Sequence, residues 1–299
     1  MIRIFGTVLA GLLGLTFGSF LNVCLSRWPE GESVVKPRSH CRNCGRMLTW
    51  WENLPVLSWI ALRGRCRTCK ATISCRYPAV ELSIGALWAL AAFQGLPQSV
   101  AELPPDLLYE QLLSVLLEML FLWVLVALAF LDAEHFWLPN WLTLPVLTFG
   151  ILLRATLAAM VLYLPLGSQR LGCYDCASPL HAALGRIVSA ALAAALILLI
   201  RWTYWLVRRR EGIGLGDAKL MAMLGAWLGL SGALLSFGIG VVLGAGFAIV
   251  ALAVPRTRRD SETWSAAKLP LGTFLCIGGI VAALWGQPII DAYKRWAGF

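Results

Sequence analysis

Apolar runs long enough to cross a lipid bilayer recur along this sequence, and that recurrence limits the fold more than any other feature. A spanning helix needs about 20 apolar residues. Runs of that kind cover roughly 4–25, 79–95, 112–131, 141–164, 181–207, 233–254 and 269–290, with a shorter one over 218–230. Inside lipid the backbone must satisfy its own N–H and C=O groups, so such spans form helices. The expectation is an all-α polytopic membrane protein with about eight transmembrane helices. Composition agrees: charged residues make up 14% of the chain and its mean hydropathy is +0.74, whereas a soluble domain is roughly a quarter charged. The net charge of +9 is read as basic loops on the cytoplasmic face, not as a nucleic-acid surface. Met1-Ile2-Arg3-Ile4 resembles the start of a secretion signal, but the apolar run continues to Val23 without a small-residue cleavage site. The first span is therefore read as retained.

Residues 26–78 differ in kind. They hold ten Lys and Arg against three acids, Glu30, Glu32 and Glu52, which places them in the cytoplasm. About fifty residues form a poor core unaided, and a bound metal is one remedy. Cys41-Arg42-Asn43-Cys44 and Cys66-Arg67-Thr68-Cys69 carry the spacing of a four-thiolate zinc site. Disulfides are the rival reading, disfavoured in a reducing compartment. Four protein ligands leave no open position, so the metal is expected to be structural. Between the knuckles, Trp50, Trp51 and Trp59 fit either an interfacial belt or a pocket lining. Asn22, within the first span, fits either interhelical hydrogen bonding or a substrate contact.

The remaining loops fix a topology. Residues 96–111 carry Glu102, Asp106 and Glu110 without Lys or Arg and are read as external. Cys173 and Cys176 fall in a second external loop, 165–182, where a disulfide is permitted. Arg208-Arg209-Arg210 and Pro255-Arg256-Thr257-Arg258-Arg259 mark inner loops. The exception is 132–140, an inner loop that is acidic. It contains Asp132, and a second acid, Asp217, opens the 218–230 run inside Gly212-Ile213-Gly214-Leu215-Gly216-Asp217-Ala218-Lys219.

Charge near lipid is costly, so an acid at a span end invites a functional reading. By this topology Asp132 and Asp217 share the cytoplasmic side. Two carboxylates brought together share a proton. One can then activate water while the other polarises the carbonyl under attack. The bland readings are that Asp217 caps a helix, that Asp132 is a solvated loop acid beside Glu134 and His135, and that Lys219 snorkels instead of tuning the pair. Gly214 and Gly216 would let the backbone turn and let an extended substrate approach.

In order along nearly its whole length, the chain resembles the type IV prepilin peptidases, the bifunctional leader peptidase/N-methyltransferases, which are intramembrane aspartic proteases of the G-x-G-D type. The resemblance rests on Gly18-Ser19-Phe20-Leu21-Asn22-Val23, the two cysteine pairs around Trp51-Glu52-Asn53-Leu54-Pro55, and Arg76-Tyr77-Pro78 with Glu81-Leu82. It continues through Leu131-Asp132, Leu138-Pro139-Asn140 and Gly214-Leu215-Gly216-Asp217 followed by Lys219. Leu269-Pro270-Leu271-Gly272-Thr273-Phe274 resembles the usual Ile-Pro-Phe-Gly-Pro-Phe with substitutions. The resemblance implies a first helix (1–25), a cytoplasmic zinc-binding domain linked to methylation (26–78) and a transmembrane aspartic peptidase domain (79–299). It implies Asp132 and Asp217 as the catalytic pair, with Gly214, Gly216 and Lys219 in the supporting turn. It further implies cleavage of a basic leader from prepilins or pseudopilins at a glycine–phenylalanine-type junction, at the cytoplasmic face of a bacterial inner membrane. It also implies methylation of the new N-terminus, with S-adenosylmethionine as the methyl donor. Trp51, Glu52 and Asn53 are candidates for the methyl-donor site by position, against the plainer reading that they pack the zinc domain. The acidic 132–140 loop suits a basic leader. A proton-coupled transporter using the paired aspartates is the alternative.

Overall fold

In the computed structural model, which describes residues 2–98, 105–163, 178–210, 214–253 and 269–298, a glycine stripe sets how the first helices meet. Helix α1 (Ile2–Arg27) packs on α3 (Arg76–Gly95). A Cβ on Gly14 would lie 2.8 Å from the Ile84 carbonyl oxygen, and one on Gly18 would lie 2.7 Å from Glu81 Cα. Small residues four apart let helix backbones approach this closely in lipid. The approach brings Asn22 Nδ2 within 2.9 Å of the Tyr77 carbonyl.

The chain divides into two compact units, Met1–Phe130 and Leu131–Phe299, with the division inside α4 (Pro105–His135). In the first unit the Trp88 and Trp123 indoles donate to the Met119 and Phe17 carbonyls at 2.9 and 3.2 Å, so α3 and α1 are each tied to α4. The α1–α3 connection carries the two cysteine knuckles, a 3-10 turn over Trp50–Asn53 and the short helix α2 (Leu57–Ala61). In the second unit, α7 (Leu215–Ala253) packs against α5 (Asn140–Tyr163), α6 (Pro179–Arg208) and α8 (Leu271–Ala297). Gly225 abuts the Ser189–Ala190 backbone and Gly278 abuts Ser236, repeating the small-residue packing of the first unit.

Helix α7 is broken at Gly229, whose φ of 77° and ψ of 176° are not helical. Glycine takes this left-handed conformation without steric cost. The break frees carbonyls at the end of the 215–228 segment, and Arg186 Nη1 donates to the Trp227 carbonyl at 3.1 Å. A cation at a helix C-terminus is favourably placed. The expected runs 218–230 and 233–254 correspond to the two sides of this break.

Among the described residues the regular structure is helical, apart from two single-pair bridges in the knuckles. Among the described residues, five helices are long and apolar enough to span a membrane, namely Ile2–Arg27, Leu108–His135, Pro179–Arg208, Leu215–Ala251 and Leu271–Ala297. Large apolar side chains face outward along α1 (Phe5, Val8, Leu12) and α6 (Val188, Leu199, Trp202), as they do on helices solvated by lipid. The all-helical membrane architecture follows from these features, and the cysteine-bearing insert lies directly after the first helix. Cys173 and Cys176 lie outside the described residues.

Candidate active site and metal centre

Asp132 lies in the last turn of α4, where the helix dipole disfavours a negative charge. A second helix end offsets this. At the N-terminus of α8, the Thr273 backbone N–H donates to Asp132 Oδ2 at 2.7 Å and the Thr273 hydroxyl donates to the same atom at 3.1 Å. A helix N-terminus presents unpaired N–H groups and binds anions. Asp217 sits in the first turn of α7, where its own helix dipole suits it, and accepts the Gly214 N–H at 3.3 Å. Both carboxylates are buried, at 6% and 8% exposure. They are close enough for their charges to interact, and the buried Cys276 lies within range of both. Chemically, such a pair can hold one proton between two acceptors and polarise a bound water.

Leu138 packs beside the pair. A Cβ on Gly216 would lie 3.2 Å from Leu138 Cδ1, and one on Gly272 would lie 3.1 Å from that atom and 2.9 Å from Asp132 Cγ. Gly216 and Gly272 thus make room for Leu138 and for the carboxylate itself. Lys219 donates to Asn140 Oδ1 at 2.7 Å, bracing the start of α5 against the first turn of α7. Glu134 and His135 face each other at 3.8 Å. The sequence alone gives Thr273, Gly272 and Leu138 no role. Its one signal was the family-like 269–274 segment, and nothing local in that segment points to an aspartate 141 residues away.

The four expected cysteines converge. Cys41, Cys44, Cys66 and Cys69 place their sulfurs within 4.8 Å of one another, and Cys41 Sγ is 3.8 Å from Cys69 Sγ. Tetrahedral zinc with Zn–S bonds of ~2.3 Å requires sulfurs about 3.8 Å apart. The thiols are free, not paired as disulfides. The two knuckles repeat one backbone pattern. Cys41 N–H bonds the Arg46 carbonyl and Gly45 N–H the Cys41 carbonyl; Cys66 N–H bonds the Ala71 carbonyl and Lys70 N–H the Cys66 carbonyl. Gly45 and Lys70 both take positive φ, 69° and 60°. The turns aim amides at sulfur. The Cys69 and Thr68 N–H groups hold the Cys66 thiol below its ordinary range. The Ala71 N–H and the Asn43 side chain bring Cys69 down to about 6. Thiolates are the metal-binding form. Among the described residues this quartet is the group of His, Cys, Asp and Glu arranged to hold a metal.

The candidates between the knuckles separate. Glu52 is buried, and its oxygens are taken by Arg46 at 2.5 Å, the Thr49 N–H at 2.8 Å and the Thr49 hydroxyl at 2.7 Å. It closes a capping box on the 3-10 turn and pins that turn to the first knuckle. Trp51 is half-buried with the Arg67 guanidinium 5.3 Å from its ring centroid, and Asn53 is exposed.

These two centres fall in separately recognisable parts of the chain. The pattern of the family described as Bacterial Peptidase A24 N-terminal domain matches residues 12–94, which hold the cysteine quartet, and that of the Type IV leader peptidase family matches 119–249, which hold both aspartates. A prepilin leader peptidase/N-methyltransferase of Aeromonas salmonicida is 33% identical over 315 residues, covering 95% of this chain and 91% of the relative. The chain belongs to the type IV leader peptidase family. Relatives of the same description from Myxococcus xanthus and Pseudomonas aeruginosa are 36% and 32% identical to this leader peptidase. They cover 94% and 96% of it, and 78% and 93% of their own lengths. No solved structure matches the chain.

Proposed function

We propose that this leader peptidase removes the basic leader of type IV prepilins or type II secretion pseudopilins at the cytoplasmic membrane face and then N-methylates the exposed residue. The observation that carries the peptidase half is the pair Asp132 and Asp217, buried within mutual electrostatic range at two helix N-termini. One carboxylate takes a proton from the attacking water while the other gives one to the scissile carbonyl, and the roles reverse as the amine leaves. Thr273 holds Asp132 in one orientation, and Lys219 with Asn140 steadies the chain on either side of the pair. The acidic stretch that includes Glu134 favours a leader rich in Lys and Arg. The names of the relatives support this pairing of activities and give the transporter alternative no support.

We assign the methyltransferase half of this reading to the cysteine-bearing insert, residues 26–78. Four converging sulfurs fit zinc, and the metal would brace the insert through Cys41, Cys44, Cys66 and Cys69. S-adenosylmethionine supplies the methyl group as a sulfonium. Of the candidates Trp51, Glu52 and Asn53, the Glu52 oxygens already accept from Arg46 and Thr49, and no step is assigned to the three. The decisive experiment is Asp132→Asn and Asp217→Asn, each assayed for leader release in proteoliposomes. Both are expected to abolish cleavage, and full cleavage by either folded variant would end the dyad reading.

A further inference from the structure

The aspartate pair and the cysteine quartet leave unused a buried polar cluster between α1 and α3. Asn22 is 3% exposed and Glu81 is 7% exposed. The Asn22 amide donates to the Tyr77 carbonyl, and because a carbonyl only accepts, this bond fixes which end of the amide is nitrogen. The other end, Oδ1, is buried without a hydrogen-bond partner. Glu81 Oε2 accepts the Val56 N–H at 2.7 Å, and the Ser19 hydroxyl and the Asn22 amide nitrogen are placed to donate to the same carboxylate. Among the described residues no Lys or Arg pairs with it. A buried carboxylate with no cation, beside an amide oxygen with no donor, is an expensive arrangement unless a ligand completes it.

The protein maintains this arrangement against strain. Val56 has φ 60° and ψ −49°, closing a γ-turn from the Leu57 N–H to the Pro55 carbonyl. That conformation is rare and strained, above all for a β-branched residue. Backbone strain of this kind gathers where geometry matters to function, and here it delivers the main-chain donor to Glu81. Gly18, with no room for a side chain against Glu81 Cα, allows the close approach from the other helix.

The carboxylate, the unpartnered Asn22 Oδ1 and the remaining lone pair of the Ser19 hydroxyl together select a compact cation with several N–H donors, the chemistry of a primary ammonium. We propose that Glu81, Asn22 and Ser19 receive the free N-terminal amine of the cleaved substrate. This rests on the methyltransferase reading above, which requires that amine to be held. Depth fits as well. Asn22 is five residues from the Arg27 end of α1 and Glu81 five residues from the Arg76 start of α3, so both lie about 7–8 Å inside that end at ~1.5 Å per residue. Once its basic leader is gone, the substrate is an apolar helix whose first residue bears the amine near the membrane rim.

The test is a binding measurement on the full-length protein in nanodiscs. The probe is an apolar peptide beginning with phenylalanine, labelled at its C-terminus, with its N-terminus either free or acetylated. Charge-assisted hydrogen bonds should make the wild type bind the free amine about tenfold or more tightly than the acetylated form. Glu81→Gln, which keeps an acceptor for the Val56 N–H, and Asn22→Ala should each erase most of that difference, with zinc content as the check on folding. Equal binding of both peptides by the wild type, or undiminished discrimination in both variants, overturns the site. Addition of a methyl group to the mature N-terminus is followed in parallel by mass spectrometry. A wild type that discriminates but never methylates sinks the methyltransferase reading and leaves the amine site standing. A wild type that methylates without discriminating sinks the amine site alone.

Discussion

Replacing Gly272 with alanine tests the aspartate geometry most directly. The added methyl would stand 2.9 Å from both Cγ and Oδ2 of Asp132 and 3.1 Å from Leu138 Cδ1. Carbon atoms rest about 3.5–4.0 Å apart, so the overlap is on the order of 0.5–1 Å. The first turn of α8 cannot retreat without stretching the Thr273 bonds to Asp132, which leaves the carboxylate to move. A displacement near 1 Å at a reacting group costs on the order of a hundredfold in rate, or about 2.7 kcal/mol in the barrier. Leader release from a purified prepilin, followed by mass spectrometry, should show that loss mainly in kcat, because the peptide still binds while Asp132 is misplaced. Gly246→Ala is the companion variant, since a Cβ there meets nothing within 4 Å. If Gly272→Ala cleaves as fast as Gly246→Ala, then Asp132 does not act from the orientation that Thr273 holds, and the geometric argument fails.

Further outcomes follow for the insert. Cys41→Ser and Cys69→Ser should each release the metal and loosen residues 26–78, because structural zinc contributes on the order of 10 kcal/mol to small domains; wild-type protein without zinc by elemental analysis would refute the quartet. The hydrogen bond from Arg46 holds the Glu52 carboxyl down to about 2. An acid depressed in the folded state adds stability above its ordinary range of about 4.3, and that contribution is lost as pH falls toward the folded value. Glu52→Gln should therefore flatten the acid-side loss of tryptophan fluorescence structure below about pH 4, and an unchanged pH slope would remove the pair from the account. Lys70→Gly should raise the thermal stability of the insert by about 0.5–1 kcal/mol while Gly45→Ala lowers it by a similar amount, since both positions need positive φ; differential scanning fluorimetry with equal shifts in one direction would contradict the shared turn.

Much of the architecture was written in periodicity and spacing. Apolar runs of bilayer length gave the helices, and two C-x-x-C pairs gave a quartet whose sulfurs do converge. Such signals are local or rest on identical residue types, which is why they survive in a bare sequence. The partners of Asp132 were not legible, because Thr273 acts through a backbone N–H that every non-proline residue possesses and is brought in only by packing. Glu52 is a different case. Its place between the knuckles fits either a ligand contact or packing of the zinc domain, and only the folded structure shows Arg46 and Thr49 donating to its oxygens within the chain. Asn22 was ambiguous between glue and contact for a simple reason. One end of its amide does bond a neighbouring helix, and the other does not.

Helix α7 as a whole is long enough to span a membrane, but the break at Gly229 leaves its 215–228 segment, taken alone, short of one. Fourteen residues of helix extend about 21 Å, roughly 9 Å short of a typical hydrocarbon core of about 30 Å. Arg186 holds one end of this segment at the Trp227 carbonyl and Asp217 marks the other. A helical segment too short for its membrane is accommodated by local thinning, so if 215–228 crosses by itself, the lipid chains around it compress or the acid lies recessed below the headgroups. Acyl-chain length then becomes a control on how easily water and an extended peptide reach Asp217. Leader cleavage in bilayers of graded thickness should slow as the chains lengthen, and a rate independent of thickness would show that the segment does not set the depth.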